Sequence, residues 1–313
     1  MSPNGIQTPT PGGLLEDAGT GESLDARLAA SLEGSFSSEY AEVNGVRLHY
    51  VTGGRGTPLV LLPGWPETWW EYRKVMPALA AHHRVIAVDF RGMGGSDKPA
   101  SGFEKKTMAG DIRELARHLG HDRINIAGHG IGAMIAFAYA NNHPEATEKV
   151  AVLNTTHIDD SYYDFPMVPR PGDKGPHRWW LAFNQVHDLP EQLLEGRYRH
   201  LIDYMFGLSL VNPDAITPHD RDVYARAYSS AEAIRASKAW FQAYQRDIED
   251  FNGYGPVTAP MLGLAYGTFY DYMREALPAQ GTDVRVVEIE NTRNYLVEEQ
   301  PEAVARELLA FFG

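Results

Sequence analysis

"INIAGHGIGAMIAF", residues 124–137, decides the fold. Its first residues are β-branched and apolar and read as a buried strand. Its last are Ala, Ile, Met and Phe and read as a largely apolar helix, stopped before Pro144. Between them lies a sharp turn with the spacing G-x-x-x-G, Gly128-His129-Gly130-Ile131-Gly132. The middle residue, Gly130, has no side chain, so this turn presents backbone alone.

Working outward, the same alternation continues on both sides. "YAEVNG" (40–45) and "VRLHYVTGG" (46–54) are two strands around an Asn-Gly hairpin turn. "PLVLLPG" (58–64), "RVIAVDF" (84–90) and "EKVAVLNTT" (148–156) are apolar runs of parallel-strand character. "WEYRKVMPALAAH" (70–82) and the amphipathic "TMAGDIRELARHLG" (107–120) have helical spacing. The rhythm changes over residues 158–252, which carry aromatic, Pro-rich loops and helical segments. Among these, 190–208 and 230–251 each read as one helix. "APMLGLAYG" (259–267), "VRVVEIEN" (284–291) and "PEAVARELLAFF" (301–312) resume the alternation. The expected organisation is an N-terminal arm over 1–37, an α/β core over 38–157 and 253–313, and a helical cap over 158–252. The fold class is α/β, a mostly parallel doubly wound sheet.

Bulk properties narrow the function. A net charge of −13 argues against nucleic acid and anionic membranes, which need a basic footprint. The absence of cysteine excludes disulfides, thiolate metal sites and a Cys nucleophile. No apolar run is long enough to span a bilayer, and the N-terminus lacks the pattern of a secretory signal, so a cytoplasmic location is expected. Residues 1–22 read as a flexible arm, and 23–32 either as one short docked helix or as more of that tail.

Several long motifs, in order, resemble the epoxide hydrolase and haloacid/haloalkane dehalogenase branch of the α/β-hydrolase superfamily. They are "GWPETWWEYRKVMPALA" (64–80), "VIAVDFRGMGGSDKP" (85–99), "FNQVHDLPEQLLEGR" (183–197) and "EEQPEAVARELLAFF" (298–312). The resemblance covers roughly residues 38–313. It implies an Asp nucleophile at the centre of the G-x-x-x-G turn, a His near the C-terminus, and an acid that orients the His. It also implies an oxyanion hole of backbone N–H groups. On this chain the nucleophile position is Gly130, the His position Asn294, and the acid position Asn154. An alternative acid position after the next strand offers Asp271. The family's His-Gly before the oxyanion loop is Pro63-Gly64, and the cap motif with a Tyr is Trp240-Phe241-Gln242. Ile131 and Met134 stand where fluoroacetate-type relatives carry arginines.

Glycine cannot attack and an Asn amide is not a base near neutral pH, so the covalent route is closed to these residues. The N–H groups of Trp65 and Ile131 remain as an oxyanion-type pair. Asn294, Asn154, Glu67 and His157 are the candidate catalytic side chains. His129 reads more readily as a packed structural residue than as a catalyst. Gly130, His129, Trp69, Trp179, Trp180, Phe241 and Tyr295 are the candidate substrate-binding residues, and the aromatics among them suggest a bulky, flat substrate. No His, Asp or Glu cluster has metal-ligand spacing, and "HH" (82–83) reads as a surface helix end. The expected function is a cofactor-independent, non-hydrolytic tailoring enzyme acting on a polycyclic aromatic or polyketide-type natural product, epoxide- or quinone-bearing, by cyclisation, rearrangement or C–C bond formation. The alternatives are a small-molecule-binding pseudoenzyme or receptor and an atypical epoxide hydrolase. The expected partner is a small molecule; a homodimer is left open.

Overall fold

Asn44 and Gly45 both take left-handed φ, 48° and 76°, and so close a two-residue hairpin. The computed structural model describes residues 23–165, 171 and 178–313. The hairpin pairs β1 (Phe36–Val43) with β2 (Val46–Gly54), Val43 opposite Val46. Six more strands follow: β3 (Thr57–Leu62), β4 (His83–Asp89), β5 (Ile124–His129), β6 (Thr147–Leu153), β7 (Met261–Ala265) and β8 (Val284–Glu288). They form one eight-stranded sheet in the order β1-β2-β4-β3-β5-β6-β7-β8. From β4 to β8 all neighbours are parallel; β2 runs antiparallel to both of its own. The fold is an α/β-hydrolase sheet with helices.

Strand order reverses direction at β3, which lies between β4 and β5. In a parallel sheet the crevice at the carboxyl ends of the strands at such a point is where ligands bind. Here those ends lead into Pro63-Gly64-Trp65 and into Gly130.

In chain order the helices are α1 (Leu24–Ala30), α2 (Met76–Ala80), α3 (Lys105–His118) and α4 (Ile131–Asn142). Between β6 and β7 come α5 (Trp179–Gln185), α6 (Leu189–Leu194), α7 (Tyr198–Ser209), α8 (Pro218–Ala227), α9 (Ala231–Gln242) and α10 (Tyr244–Asn252). After β7 come α11 (Gly267–Ala276), α12 (Leu296–Glu299) and α13 (Pro301–Phe312). The helix expected over 190–208 is two, α6 and α7, broken where Gly196 takes φ 67°. That over 230–251 is likewise two, α9 and α10, meeting at Ala243. Trp69–Lys74 coils as a tight 3-10 turn before α2. His83 is not on a helix end: it opens β4 and is buried. Residues 23–32 do form the short docked helix α1, with Leu28 and Ala29 buried and Asp25 accepting from Trp69 Nε1 at 2.8 Å; residues 1–22 lie outside the described chain.

Two details position the site. Every residue of α4 from Ile131 to Ala140 is buried, so this helix has no solvent face. It also crosses β3 closely enough that a Cβ on Gly132 would sit 2.1 Å from the Leu62 carbonyl oxygen. The helices between β6 and β7 are tied to the core by buried polar joints. Lys105 Nζ pairs with Asp247 Oδ2 at 2.7 Å, and Arg73 reaches Asp220 at 2.9 Å and also Glu298. Trp240 Nε1 donates to the Arg91 carbonyl at 3.0 Å, and Trp70 Nε1 to Asp220 at 2.8 Å.

Candidate active site

The turn after β5 places Gly130 at φ 53° and ψ −118°, a region that costs an L-residue strain. Glycine occupies it freely. A Cβ there would meet only the Gly64 Cα, at 3.5 Å, so the space above the turn is open. The Gly130 N–H donates to the Leu153 carbonyl at 3.2 Å, which locks the turn to the end of β6. Ile131 is the first residue of α4, where N–H groups have no partner inside the helix. Neither its N–H nor that of Trp65 donates to any group among the described residues. The positive end of the α4 dipole lies behind this pair.

Beneath the turn sits a buried charge cluster. His129 Nδ1 is 3.0 Å from Glu71 Oε1 and 3.5 Å from Glu67 Oε2, all three residues fully enclosed. The other oxygen of Glu71 accepts the Gly64 N–H at 2.7 Å. Burial alone would lower His129, but Glu71 and Glu67 beside it outweigh that and push it up to about 10. Glu67 is raised well above the usual carboxylate range by burial and then by the Glu71 charge. This His is therefore an imidazolium at neutral pH and no general base. Its ring lies under the oxyanion loop, since a Cβ on Gly64 would meet its Nδ1 at 2.6 Å. The three residues bring ligand atoms within 4.8 Å of one another, a grouping that a 62-residue separation between Glu67 and His129 hides from spacing rules. His129 Nδ1 lies nearest to Glu71, while both oxygens of Glu67 and the His129 Nε2 have no hydrogen-bond partner among the described residues.

Above the turn is a cavity of about 340 Å³ between the strand ends and the helices of the insertion. Of the residues singled out from sequence, Trp65, His129, Gly130, Ile131, Asn154, Trp180, Phe241, Asn294 and Tyr295 line it. Asn154 follows β6 in left-handed conformation, φ 56°, and its Nδ2 donates to the backbone carbonyls of Asn294 (2.7 Å) and Arg293 (3.3 Å). Asn154 thus holds the C-terminal loop, and its own Oδ1 has no hydrogen-bond partner among the described residues. The Trp65 indole donates to Tyr198 Oη at 3.0 Å and meets Phe241 edge-on at 5.4 Å.

Five residues singled out from sequence lie elsewhere. His157 is stacked flat on Phe251 at 4.8 Å, with Nδ1 on the Ile158 carbonyl, and burial drives it down to about 4. It is a neutral packing residue behind α4 rather than a base facing substrate. Glu67 lies under the oxyanion loop, not in the cavity, because Thr68 and Trp69 fold it inward at the 3-10 turn. Trp69 packs beneath α1, its indole on Asp25. Trp179 points from α5 toward Phe183 and Tyr204, while Trp180 beside it takes the cavity side. Asp271 is exposed near Arg274.

The cavity also has residues that the sequence reading passed over: Arg178, Tyr244, Tyr266, Thr268 and Phe269. The signal for them was only a cluster of aromatics on α10 and α11. Burial raises the phenols of Tyr162 and Tyr244, and those of Tyr295 far above the ordinary tyrosine range, so all three are neutral hydroxyls at working pH. No Asp, Glu, Lys or Cys lines the cavity among the described residues.

Comparison with known proteins agrees with this fold. A family model described as alpha/beta hydrolase fold matches residues 57–189. A soluble epoxide hydrolase of Corynebacterium sp. (strain C12) is 33% identical over 288 residues, 87% of this chain and 96% of its own. A fluoroacetate dehalogenase of Burkholderia sp is 29% identical over 66% of this chain and 69% of its own. The crystal structure of Cfl2 from Burkholderia cenocepacia superposes with TM-score 0.79 at 31% identity, covering 89% of this chain and 96% of that one. The strand order, the glycine turn after β5 and the match along nearly the whole length of an epoxide hydrolase lead to one assignment: the chain belongs to the α/β hydrolase superfamily, among its epoxide hydrolase-like members.

Proposed function

We propose that this protein is an enzyme of epoxide hydrolase descent that has lost the covalent route and directs a reaction within its substrate. One observation carries the reading. The turn that presents a nucleophile in such folds holds Gly130, while among the described residues the two N–H donors beside it have no acceptor and the cavity above has no carboxylate. In this reading Gly130, Asn154 and Asn294 stand in place of nucleophile, acid and base. The substrate is a large aromatic natural product carrying an epoxide or quinone, laid against Trp65, Trp180, Phe241 and Tyr295. A phenol oxygen or enol carbon of the substrate attacks an epoxide carbon. The C–O bond breaks, its electron pair moves to the epoxide oxygen, and the alkoxide forms at the N–H groups of Ile131 and Trp65. The proton lost by the attacking group ends on that oxygen, so the product is an isomer. Preorganised donors of this kind contribute roughly 3–4 kcal/mol, and holding the reacting atoms together contributes more. No cofactor takes part.

A second reading is favoured by the 33% identity to a soluble epoxide hydrolase along 96% of that relative. Here water, oriented by Asn294 and neutral tyrosines, opens the epoxide directly. Incubation with aryl epoxides and epoxyquinones, followed by product mass, separates the two. An isomer or a coupled product is expected. A gain of one water supports direct hydrolysis, and tight binding without turnover would replace both readings with a binding protein.

A further inference from the structure

The whole chain carries a net charge of −13, yet its cavity is lined by one guanidinium, one imidazolium and no carboxylate among the described residues. The guanidinium belongs to Arg178, just before α5, and its setting is unusual. Its Cζ lies 3.9 Å from the Phe165 ring centroid and 5.3 Å from that of Phe269. Stacking of this kind fixes the plane of an arginine by its faces and leaves its N–H edge open. No side-chain hydrogen bond or ion pair of Arg178 exists among the described residues. Its charge is nevertheless felt by Tyr162, Tyr244, Tyr266 and Tyr272, whose phenols burial raises and Arg178 pulls back. Asp159 acts on Tyr162 and Tyr272 in the opposite sense, and no ion pair joins it to Arg178 among the described residues.

Arg178 also stands at a junction. With Thr155, Tyr162, Thr268 and Phe269 it lines both the main cavity and an adjoining chamber of about 340 Å³. The second chamber adds Thr156, Ser161 and Tyr272, so hydroxyl groups line the space that Arg178 shares. Five N–H donors without an acceptor among the described residues, in a chamber lined with hydroxyls and against aromatic rings, match a planar oxyanion attached to an arene.

We propose that Arg178 forms an anion subsite that anchors an aryl carboxylate or ionised phenol of the substrate at the junction of the two chambers, turning the rest of the ring system toward Gly130. This deepens the proposed function and rests on its placing substrate in the main cavity. Arg178 would be a binding and orienting residue, with no part in bond making.

The test is binding of 2-naphthoate and its neutral isostere 2-naphthamide to the full chain, followed by quenching of tryptophan fluorescence, since Trp65 and Trp180 line the cavity. Naphthoate is expected to bind about tenfold more tightly than naphthamide. The preference should disappear in Arg178→Met, survive in part in Arg178→Lys, and shrink with added salt. An unchanged naphthamide affinity in Arg178→Met shows that the variant keeps its cavity. Equal binding of both probes to the unaltered chain, or a preference that persists in Arg178→Met, overturns the anion subsite and leaves the proposed function standing. If neither probe binds, the arene-binding reading of the cavity falls and this inference falls with it.

Discussion

Gly130 is a residue whose value lies in what it leaves out. Its φ of 53° means that Gly130→Asp carries strain of about 1–3 kcal/mol, but the nearest atom to the new Cβ is 3.5 Å away, so the variant should fold. Exposed to styrene oxide, it should form an ester that adds the mass of one epoxide to the intact chain. The ester should persist, because Asn294 cannot activate the water that would cleave it. Adding Asn294→His should shorten its lifetime. A folded Gly130→Asp variant that never forms the adduct would show that this turn does not face the reacting epoxide. One position earlier, His129 makes a prediction about pH. Its value rises from 6.5 in the unfolded chain to about 10 in the fold. A raised value means that its stabilisation is fully present below pH 6.5 and is lost as pH climbs through 10. Denaturant unfolding should therefore show stability falling by about 1.4 kcal/mol per pH unit between pH 7 and 10 more steeply than in His129→Gln. Parallel slopes for the two proteins would rule out the buried imidazolium. Glu67, also raised by burial, contributes a loss of stability of the same sign as pH rises above the ordinary carboxylate range.

At the scale of elements, the sequence was most legible where period and turn chemistry agree. The Asn44-Gly45 hairpin, the apolar strands and the turn between β5 and α4 follow from local pattern. Helix interruptions were less legible. Gly196 at φ 67° separates α6 from α7 although the apolar spacing runs through it, and α7 then carries Met205 and Ser209 to the cavity. The candidate site was legible to the extent that it depends on chain order. Gly130, Trp65, Asn154 and Asn294 lie at loop positions, and Ile131 at the start of α4, all fixed by the strands that precede them. The cavity-facing sides of α5, α10 and α11 were not legible, since which of two neighbours such as Trp179 and Trp180 turns inward depends on packing between helices far apart in sequence. His157 misled for the same reason. It lies three residues beyond Asn154, and only the stacked Phe251 from α10 reveals that it faces away.

At the scale of the molecule, the joint between core and insertion is polar where it is most deeply buried. Lys105 and Asp247 are enclosed completely, the lysine lowered by burial and held up again by its partner, with the Trp240 carbonyl as a second acceptor. Lys105→Met strands an unpaired carboxylate against α3 and should cost about 3–5 kcal/mol in urea unfolding. Replacing both partners, Lys105→Met with Asp247→Leu, should return most of that loss. If the double variant is no more stable than the single one, the pair has a role beyond mutual neutralisation. Such joints are invisible to any reading of the chain in order, because 142 residues separate the two partners.

The burial of α4 around its whole circumference has an evolutionary consequence. A helix without a solvent face offers no position where a new polar side chain can be tried without damaging the interior. Its first turn is the single part that looks into an open space. Substitution is easier at the tips of the strands, where Gly130 carries no side chain and the Asn294 backbone is held by the Asn154 amide. A scaffold divided in this way can exchange one chemistry for another in a few substitutions while its stability is set elsewhere.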